Sequence, residues 1–288
     1  MSPPSSSLRP SGRSEVVDRS YIAVTSVRDE EDFIEDCLRA VLHQSIPPDV
    51  YVVVDDGSTD GTPLIVKRFK VEYLRIDVPR HPTRGVNLAY ALNKGVERAT
   101  ELCPGWRFLL KVDGDTVIPP RYAEYLIERM EEMPQLGICG GQPQGWNIRP
   151  KRVTDGARLY RRECWEGIGG LDLINAFDLH AVLKARRLGW ETRTFPIRYL
   201  ERRWSAKMGM RRWINAGFAR KSLGFPLWHT ALAALRNLNF GRPPIIGPLA
   251  MLLSHPLGTW PKAPGLDAEW MRRFAAEELR ESLRGILS

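Results

Sequence analysis

The sequence has few of the residues and patterns that identify metal-binding, redox or disulfide-rich proteins. Its four cysteines are widely separated and form no Cys-x-x-Cys pair, and its five histidines form no His-x-x-x-His or His-x-Glu pattern. These absences argue against a zinc site or a disulfide scaffold. We therefore expect the cysteines to be reduced core residues of a cytoplasmic protein.

Long apolar segments are also absent. Residues 1–19 are rich in Ser, Pro and Arg and lack the apolar stretch of a signal peptide, which predicts a disordered N-terminal arm. The most apolar late segment, from Ile245 to Leu257, is interrupted by Pro248 and Pro256 and is too short to span a bilayer. We expect this segment to pack against the core, and peripheral contact with the inner membrane face is the alternative.

Charge is distributed unevenly along the 288 residues. Lys and Arg number 42 against 34 Asp and Glu, which gives a net charge of +8, and much of the excess lies beyond residue 148. This half of the chain should favour anionic partners such as a phosphorylated substrate or a lipid headgroup. The basic residues follow no recognisable nucleic-acid-binding motif, so no nucleic acid is expected as a partner.

Apolar runs alternate with amphipathic stripes in the first part of the chain. Strands are predicted at 21–27, 50–54, 72–77 and 107–112, with helices between them. The second and fourth runs are nearly continuous in apolar residues, which is typical of strands buried on both faces of a parallel sheet. This alternation predicts an α/β fold with a doubly wound, mostly parallel central sheet and helices on both faces.

Two acidic turns follow two of these strands. Asp55 and Asp56 end the second strand, and Asp113-Gly114-Asp115 follows the fourth. The carboxyl ends of parallel strands meet at one edge of a sheet, where open α/β sheets bind ligands. Carboxylates crowded at such an edge repel one another unless a cation compensates them. The two turns therefore predict a site for a divalent metal that carries a diphosphate.

The order of motifs resembles the inverting nucleotide-sugar glycosyltransferases of family 2, which have the A-type glycosyltransferase fold. The resemblance covers roughly residues 20–200. Arg28-Asp29-Glu30-Glu31 parallels the family's Asn-Glu-Glu loop, and the segment from Val54 to Thr62 completes its V-D-D-G-S-x-D-x-T signature. Asp113-Gly114-Asp115 matches its D-x-D motif, and Gly169-Gly170-Leu171-Asp172 approximates a later Gly-Gly-Phe-Asp loop.

The resemblance implies a nucleotide-sugar donor and a divalent cation, Mg²⁺ or Mn²⁺. It makes Asp115 the metal ligand and assigns Asp113 to the ribose or to the same metal. It also makes Arg84 a partner of the diphosphate, whose oxygens match a guanidinium fork. Asp55 or Asp56 would accept a hydrogen bond from the base or the ribose. The donor-binding residues implied in this way are Arg28, Asp29, Glu30, Asp55, Asp56, Arg84 and Asp113.

An inverting transfer needs a base beside the acceptor hydroxyl. The family supplies it from an Asp that follows a Glu near the start of a late helix, and a Gly ends that helix about eleven residues later. Asp178 precedes Gly189 by this interval and is the implied base, although Phe177 replaces the Glu. Asp172 is the second candidate. Glu201 stands where the family often has a His, so it is either a third metal ligand or a surface acid.

The resemblance implies a metal-dependent enzyme of cell-envelope glycan synthesis that transfers a sugar to a hydroxyl of a glycan or lipid-linked glycan, with inversion. Residues 20–205 would form the catalytic domain. Residues 206–288 would form a helical C-terminal extension, associated with a membrane surface in one interpretation. Two alternatives are a catalytically idle nucleotide-sugar-binding regulator or scaffold of the same fold, and a sugar-phosphate nucleotidyltransferase. The latter would have a glycine-rich loop after the first strand, and residues 25–30 contain no glycine.

Overall fold

The computed structural model describes residues 19–77, 81–145, 153–203, 209–239 and 243–287. Within these ranges the chain forms eight strands and ten helices. The strands are β1 (Tyr21–Val27), β2 (Val50–Asp55), β3 (Glu72–Arg75), β4 (Phe108–Val112), β5 (Thr116–Val117), β6 (Leu136–Pro143), β7 (Ala157–Arg161) and β8 (Glu191–Glu201). The helices are α1 (Ile34–Leu42), α2 (Thr62–Val66), α3 (Arg84–Leu102), α4 (Tyr122–Glu132), α5 (Arg162–Ile168), α6 (Phe177–Arg187), α7 (Met210–Ser222), α8 (Leu227–Arg236), α9 (Ile246–Leu257) and α10 (Ala268–Leu287).

The eight strands form one mostly parallel sheet in the order β3-β2-β1-β4-β7-β6-β8-β5. β1 lies between β2 and β4 and is parallel to both, with Val27 opposite Asp55. Two strands run against the main direction: β7 is antiparallel to β4 and β6, and the short β5 is antiparallel to β8. Because β1, β2 and β4 run in the same direction, they end at one edge of the sheet, which we call the carboxyl edge.

Helices cover the sheet on both sides. Tyr21 and Ala23 of β1 pack in a core with α1 and α4, whereas Ile22 and Val24 pack in a second core with α3 and α6. This alternation follows from the two-residue period of side chains along a strand. Lys111 of β4 lies on the side of α3, where it borders the same small space as Val24. A charged side chain thus enters an otherwise apolar layer.

The first four strands agree with the predicted ranges to within about two residues at each end, and α1, α2 and α3 lie between them as expected. The sequence patterns did not predict β5, α5 or the 11-residue β8. A two-residue strand has no periodicity to detect, and β8 carries charged residues on its exposed side. The reversed direction of β7 was not predicted either, because periodicity identifies a strand but not its pairing partner.

The helices α7 to α10 form a C-terminal helical extension, as expected. This extension packs against α6 through a core that includes Leu183 and Met271. In the described ranges, no helix is both long and apolar enough to cross a membrane. The expected domain boundary near residue 205 lies outside the described residues, and so does the N-terminal arm apart from its last residue.

Candidate functional site

Asp55, the last residue of β2, is fully buried. Its carboxylate accepts hydrogen bonds from the Ser58 amide (2.8 Å), the Tyr73 hydroxyl (2.6 Å) and the Arg75 guanidinium (3.0 Å). These bonds compensate the buried charge. Asp55 therefore supports the turn after β2 from inside, and Asp56 is the one of the two acids that lines a cleft at the carboxyl edge. The expectation that one of the two acids contacts the donor applies to Asp56.

The loop after β1 is tied to the turn after β2. The Asp29 amide donates to the Ser58 hydroxyl (3.1 Å), and the Thr59 amide donates to the Asp29 carboxylate (2.8 Å). The hydrogen bond from Thr59 lowers the pKa of Asp29. The amide of Glu30, the residue after Asp29, donates to the Thr62 hydroxyl (2.8 Å). The expected donor-binding loop is thus held in one position by its neighbour.

A cleft of about 350 Å³ opens at the carboxyl edge beside these two loops. Burial raises the pKa of Asp56, and Arg28 opposes this rise. Arg203 contacts Oε2 of Glu30 at 2.6 Å. The cleft thus offers hydrogen-bond acceptors and cations together, which suits a polar anionic ligand. Its wall includes Arg28, Asp29, Glu30, Asp56, Asn87 and Arg203.

The Asp113-Gly114-Asp115 turn lies directly beside this cleft. A Cβ on Gly114 would lie 3.0 Å from Cγ1 of Val27 and 3.5 Å from Cγ of Glu30, and both of these residues line the cleft. Glycine permits this close approach because it has no side chain. The Asp113 side chain keeps 35% of its surface exposed. The structure therefore brings the two acidic turns to the same cleft.

A buried lysine pairs with Asp113. Lys111 has 3% of its surface exposed, and its Nζ contacts Asp113 at 2.5 Å and Asp155 at 2.8 Å. Asp155 precedes β7 and also pairs with Arg158 at 3.3 Å. Burial raises the pKa of Asp113 above its usual range; Asp155 and Asp115 add to this rise, and Lys111 opposes it. A bound cation would compensate the excess negative charge at this edge.

Asp178 lies in the first turn of α6, next to the same charged group. The Arg158 guanidinium donates to the Asp178 carbonyl oxygen at 2.7 Å. Burial raises the pKa of the Asp178 carboxyl, and the negative charge of Asp155 adds to the rise. An aspartate with a raised pKa is a stronger base than an ordinary one. Phe177, which replaces the family's Glu, is buried in the core beside α3.

Asp172 is engaged elsewhere. Its carboxylate contacts Nζ of Lys184 at 2.8 Å and Nδ1 of His180 at 3.1 Å. His180 and Lys184 lie one turn apart on α6, on a face that Asp178 does not share. Burial lowers the pKa of His180, so Lys184 is the cation that pairs with Asp172. This pairing holds the loop before α6 on the helix, and a role for Asp172 as base stays a prediction.

Glu201 ends β8 next to the Asp113-Gly114-Asp115 turn. It lies opposite Thr116, and the Arg202 amide donates to the Asp115 carbonyl oxygen at 2.8 Å. Burial raises the pKa of Glu201, and the charge of Asp115 adds to the rise. Among the described residues, no three His, Cys, Asp or Glu side chains are arranged to hold a metal by themselves. The carboxylates of Asp113 and Asp115 fit Mg²⁺ or Mn²⁺, because Mg²⁺ is usually bound by one or two carboxylates together with substrate phosphates, and Mn²⁺ also prefers oxygen ligands.

Sequence reasoning missed Lys111, Asp155, Arg158 and Arg203 as site residues. The charge inside the apolar β4 was a signal for Lys111, because a buried charge needs a partner. No local pattern identified Asp155, which lies 44 residues away from Lys111. Arg84, the expected diphosphate ligand, begins α3, but its side chain is outside the described part of the structure.

The family model described as "Glycosyl transferase family 2" matches residues 22–181, more than half of the chain. The chain belongs to this family. The match includes both acidic turns, Asp155 and Asp178. As a family 2 glycosyltransferase, the chain has the A-type glycosyltransferase fold, and the expected family, fold class and enzyme class are confirmed.

This family 2 chain is similar in sequence to a curated relative and in structure to two solved glycosyltransferase structures. Poly-beta-1,6-N-acetyl-D-glucosamine synthase from Staphylococcus epidermidis is 31% identical over 115 residues, which are 40% of this chain and only 26% of that relative. The mannosyltransferase PcManGT from Pyrobaculum calidifontis, solved with GDP-Man and Mn²⁺, has a TM-score of 0.51 at 20% identity, covering 92% of this chain and 75% of that chain. S. aureus TarS 1–349 with UDP has a TM-score of 0.51 at 15% identity, covering 82% and 70%. The two structural likenesses show a shared fold.

Proposed function

We propose that this chain is a metal-dependent glycosyltransferase that transfers a sugar from a nucleotide-sugar donor to a hydroxyl acceptor with inversion. One observation supports this most strongly: the cleft, the Asp113-Gly114-Asp115 turn and Asp178 share the carboxyl edge, and contacts through Lys111, Asp155 and Arg158 connect the turn to Asp178. Donor, cation and base would then act at one anomeric carbon, with their geometry set in advance by the fold.

The donor is proposed to occupy the cleft. Asp56 accepts a hydrogen bond from the base or the ribose, and Arg28 and Arg203 supply positive charge for the phosphate oxygens. PcManGT was solved with GDP-Man and TarS with UDP, and these two structures of the same fold support a donor that contains a nucleoside diphosphate. The fixed loops of Asp29 and Glu30 keep the cleft formed before the donor binds.

Asp115 and Asp113 are the proposed ligands of Mg²⁺ or Mn²⁺, with Glu201 beside them. When bound, such an ion supplies positive charge that stabilises the departing diphosphate. The Mn²⁺ in the PcManGT structure supports a divalent cation in this fold. Lys111 contacts the Asp113 carboxylate from the buried side, and we propose that Lys111 positions this carboxylate.

Asp178 is the proposed base. The acceptor oxygen forms its bond to the anomeric carbon while the bond from that carbon to the diphosphate oxygen breaks, and the leaving nucleoside diphosphate takes the electron pair. The hydroxyl proton passes to the Asp178 carboxylate. Attack from the side opposite the leaving group inverts the configuration of the anomeric carbon.

The acceptor is proposed to be a glycan or a lipid-linked glycan of the cell envelope. The similarity to a poly-beta-1,6-N-acetyl-D-glucosamine synthase supports a glycan product. A lipid-linked acceptor would require the protein to work in the cytoplasm at the inner face of the membrane, in peripheral contact with it.

The proposal is tested by incubating the chain with a panel of nucleotide sugars and Mn²⁺ and measuring the release of nucleoside diphosphate. We expect release with one donor, its loss on chelation of the metal, and a fall on the order of 10²–10³-fold in Asp115→Ala. Glu97→Ala, which removes an acid that is 59% exposed on α3, is the matched control and should retain full activity. Binding of a nucleotide sugar without turnover would instead identify an idle scaffold.

A further inference from the structure

The exposed apolar side chains are concentrated in the C-terminal extension. Among the described residues, thirteen large apolar side chains are exposed, and eight of them lie on or directly beside α8 and α9, two helices in contact. We name these eight the docking face: Leu227, Trp228, Leu235, Ile245, Ile246, Leu249, Leu253 and Leu257. An apolar surface of this kind marks an interaction site.

The helix α9 is apolar on two opposite sides. One side packs closely on α7: a Cβ on Gly217 would lie 2.1 Å from Oγ of Ser254, and a Cβ on Gly247 would lie 2.2 Å from Nε1 of Trp213. The other side carries the exposed stripe of α9, including Leu249 and Leu253, which are 45% and 67% exposed. A helix that is apolar all round belongs in an interior or in lipid. Half of α9 therefore lacks cover among the described residues.

The segment that carries the docking face has charged residues of one sign, and Glu278 of α10 contacts His229 of α8 at 3.1 Å. Between Glu201 and Asp267 the sequence contains ten basic residues and no acidic residue. Of these, Arg211, Lys221 and Arg236 are exposed on α7 or α8. An apolar face flanked by basic residues and carrying an exposed tryptophan is the composition that binds the interface of an anionic bilayer.

We propose that the docking face lies in the headgroup region of an anionic membrane, with the flanking basic residues on the lipid phosphates. A second copy of this chain is a poor occupant, because two such faces would bring positive charge against positive charge. A bilayer offers both an apolar layer for the leucines and negative charge for the arginines.

Docking in this way would place the active site beside the membrane. The helix α7, on which α9 packs, begins nine residues after Glu201, at the end of the strand that borders the metal-binding carboxylates. Membrane docking deepens the proposed function and rests on it, because it would bring a lipid-linked acceptor to the proposed active site. Membrane binding itself requires neither donor nor acceptor, so the two proposals fail separately.

The test is flotation of the full chain with vesicles of phosphatidylcholine alone and of phosphatidylcholine with phosphatidylglycerol. We expect flotation only with the anionic vesicles, weakened by high salt. The double variant Leu249→Glu/Leu253→Glu should reduce binding by about tenfold or more, since two charges would have to enter the apolar layer. The matched control is Leu64→Glu, which changes a leucine that is 74% exposed on α2 and should float like the parent.

Release of nucleoside diphosphate with a water-soluble acceptor should be unchanged in the double variant, and an unchanged circular dichroism spectrum would show that it is folded. Failure of the parent chain to float with anionic vesicles would overturn the proposal. Equal flotation of the double variant would overturn it as well. If the parent chain does not float but elutes as a dimer in size-exclusion chromatography, and the double variant elutes as a monomer, the docking face belongs to a second copy instead.

Discussion

The carboxyl edge of the sheet and the docking face depart from the usual distribution of residues in opposite ways. At the edge, charged groups such as Lys111 and Asp55 are buried, and each has partners of opposite charge. On α8 and α9, apolar groups such as Leu253 are exposed. Buried polar groups and exposed apolar patches are the informative exceptions in a folded protein. The comparison separates a region of buried, paired charges, where we propose the chemistry, from a region of exposed apolar side chains, where we propose contact with a membrane.

Asp178→Asn should have the largest effect at the carboxyl edge. The amide keeps the shape of the side chain but accepts no proton, so kcat should fall by about 10²–10⁴-fold while KM for the donor changes little. Steady-state kinetics with the identified donor measures both constants. The same substitution at Asp172 should leave kcat nearly unchanged, and the reverse pattern would make Asp172 the base.

Lys111→Met should cause the largest loss of stability. It removes the cation shared by Asp113 and Asp155, and an uncompensated buried charge costs about 3–5 kcal/mol. Urea denaturation measures the free energy of unfolding. Lys94→Met, at an exposed lysine paired with Glu97, should leave the free energy of unfolding nearly unchanged. Equal losses in both variants would mean that the buried charges are not coupled to Lys111.

The pH dependence of kcat should separate Asp178 from an ordinary aspartate. Its carboxylate acts as base above its pKa and is lost as the pH falls through that pKa, which burial and Asp155 raise. The acidic limb of the profile should therefore lie at a higher pH than for an exposed aspartate. Asp155→Asn removes one cause of the rise and should move the limb to lower pH. A limb that does not move would show that Asp155 does not act on the base.

The smallest expected effect is on the exposed side of α9. Leu253→Ala should change the free energy of unfolding by about 0.5 kcal/mol or less, because the side chain has little contact to lose. Met251→Ala, on the buried side of the same helix, should cost about 2–5 kcal/mol. Urea denaturation in the absence of lipid compares the two. A large cost for Leu253→Ala would mean that this side is needed for folding.

The sequence predicted the parts of the fold that depend on local pattern. The buried strands and the acidic turns after β2 and β4 follow from apolar runs and from the residues that end them, so their meeting at one edge was predictable. Periodicity does not show which of two adjacent acids enters the cleft, and Asp55 proved to be the buried one. It also does not find Asp155, whose place depends on strand pairing. A mostly apolar helix such as α9 gives only a weak signal for which side is left uncovered.

The reversed direction of β7 has a further consequence. Because β7 runs opposite to β4, the loop that leads into β7 arrives at the same edge that β4 leaves, and it brings Asp155 within reach of Lys111. The charge beside Asp113 therefore depends on a residue from a separate part of the sequence, and changing Asp155 would alter that charge without altering the loops after β1 and β2. One reversed strand thus gives the carboxyl edge a contribution from a later segment of the chain.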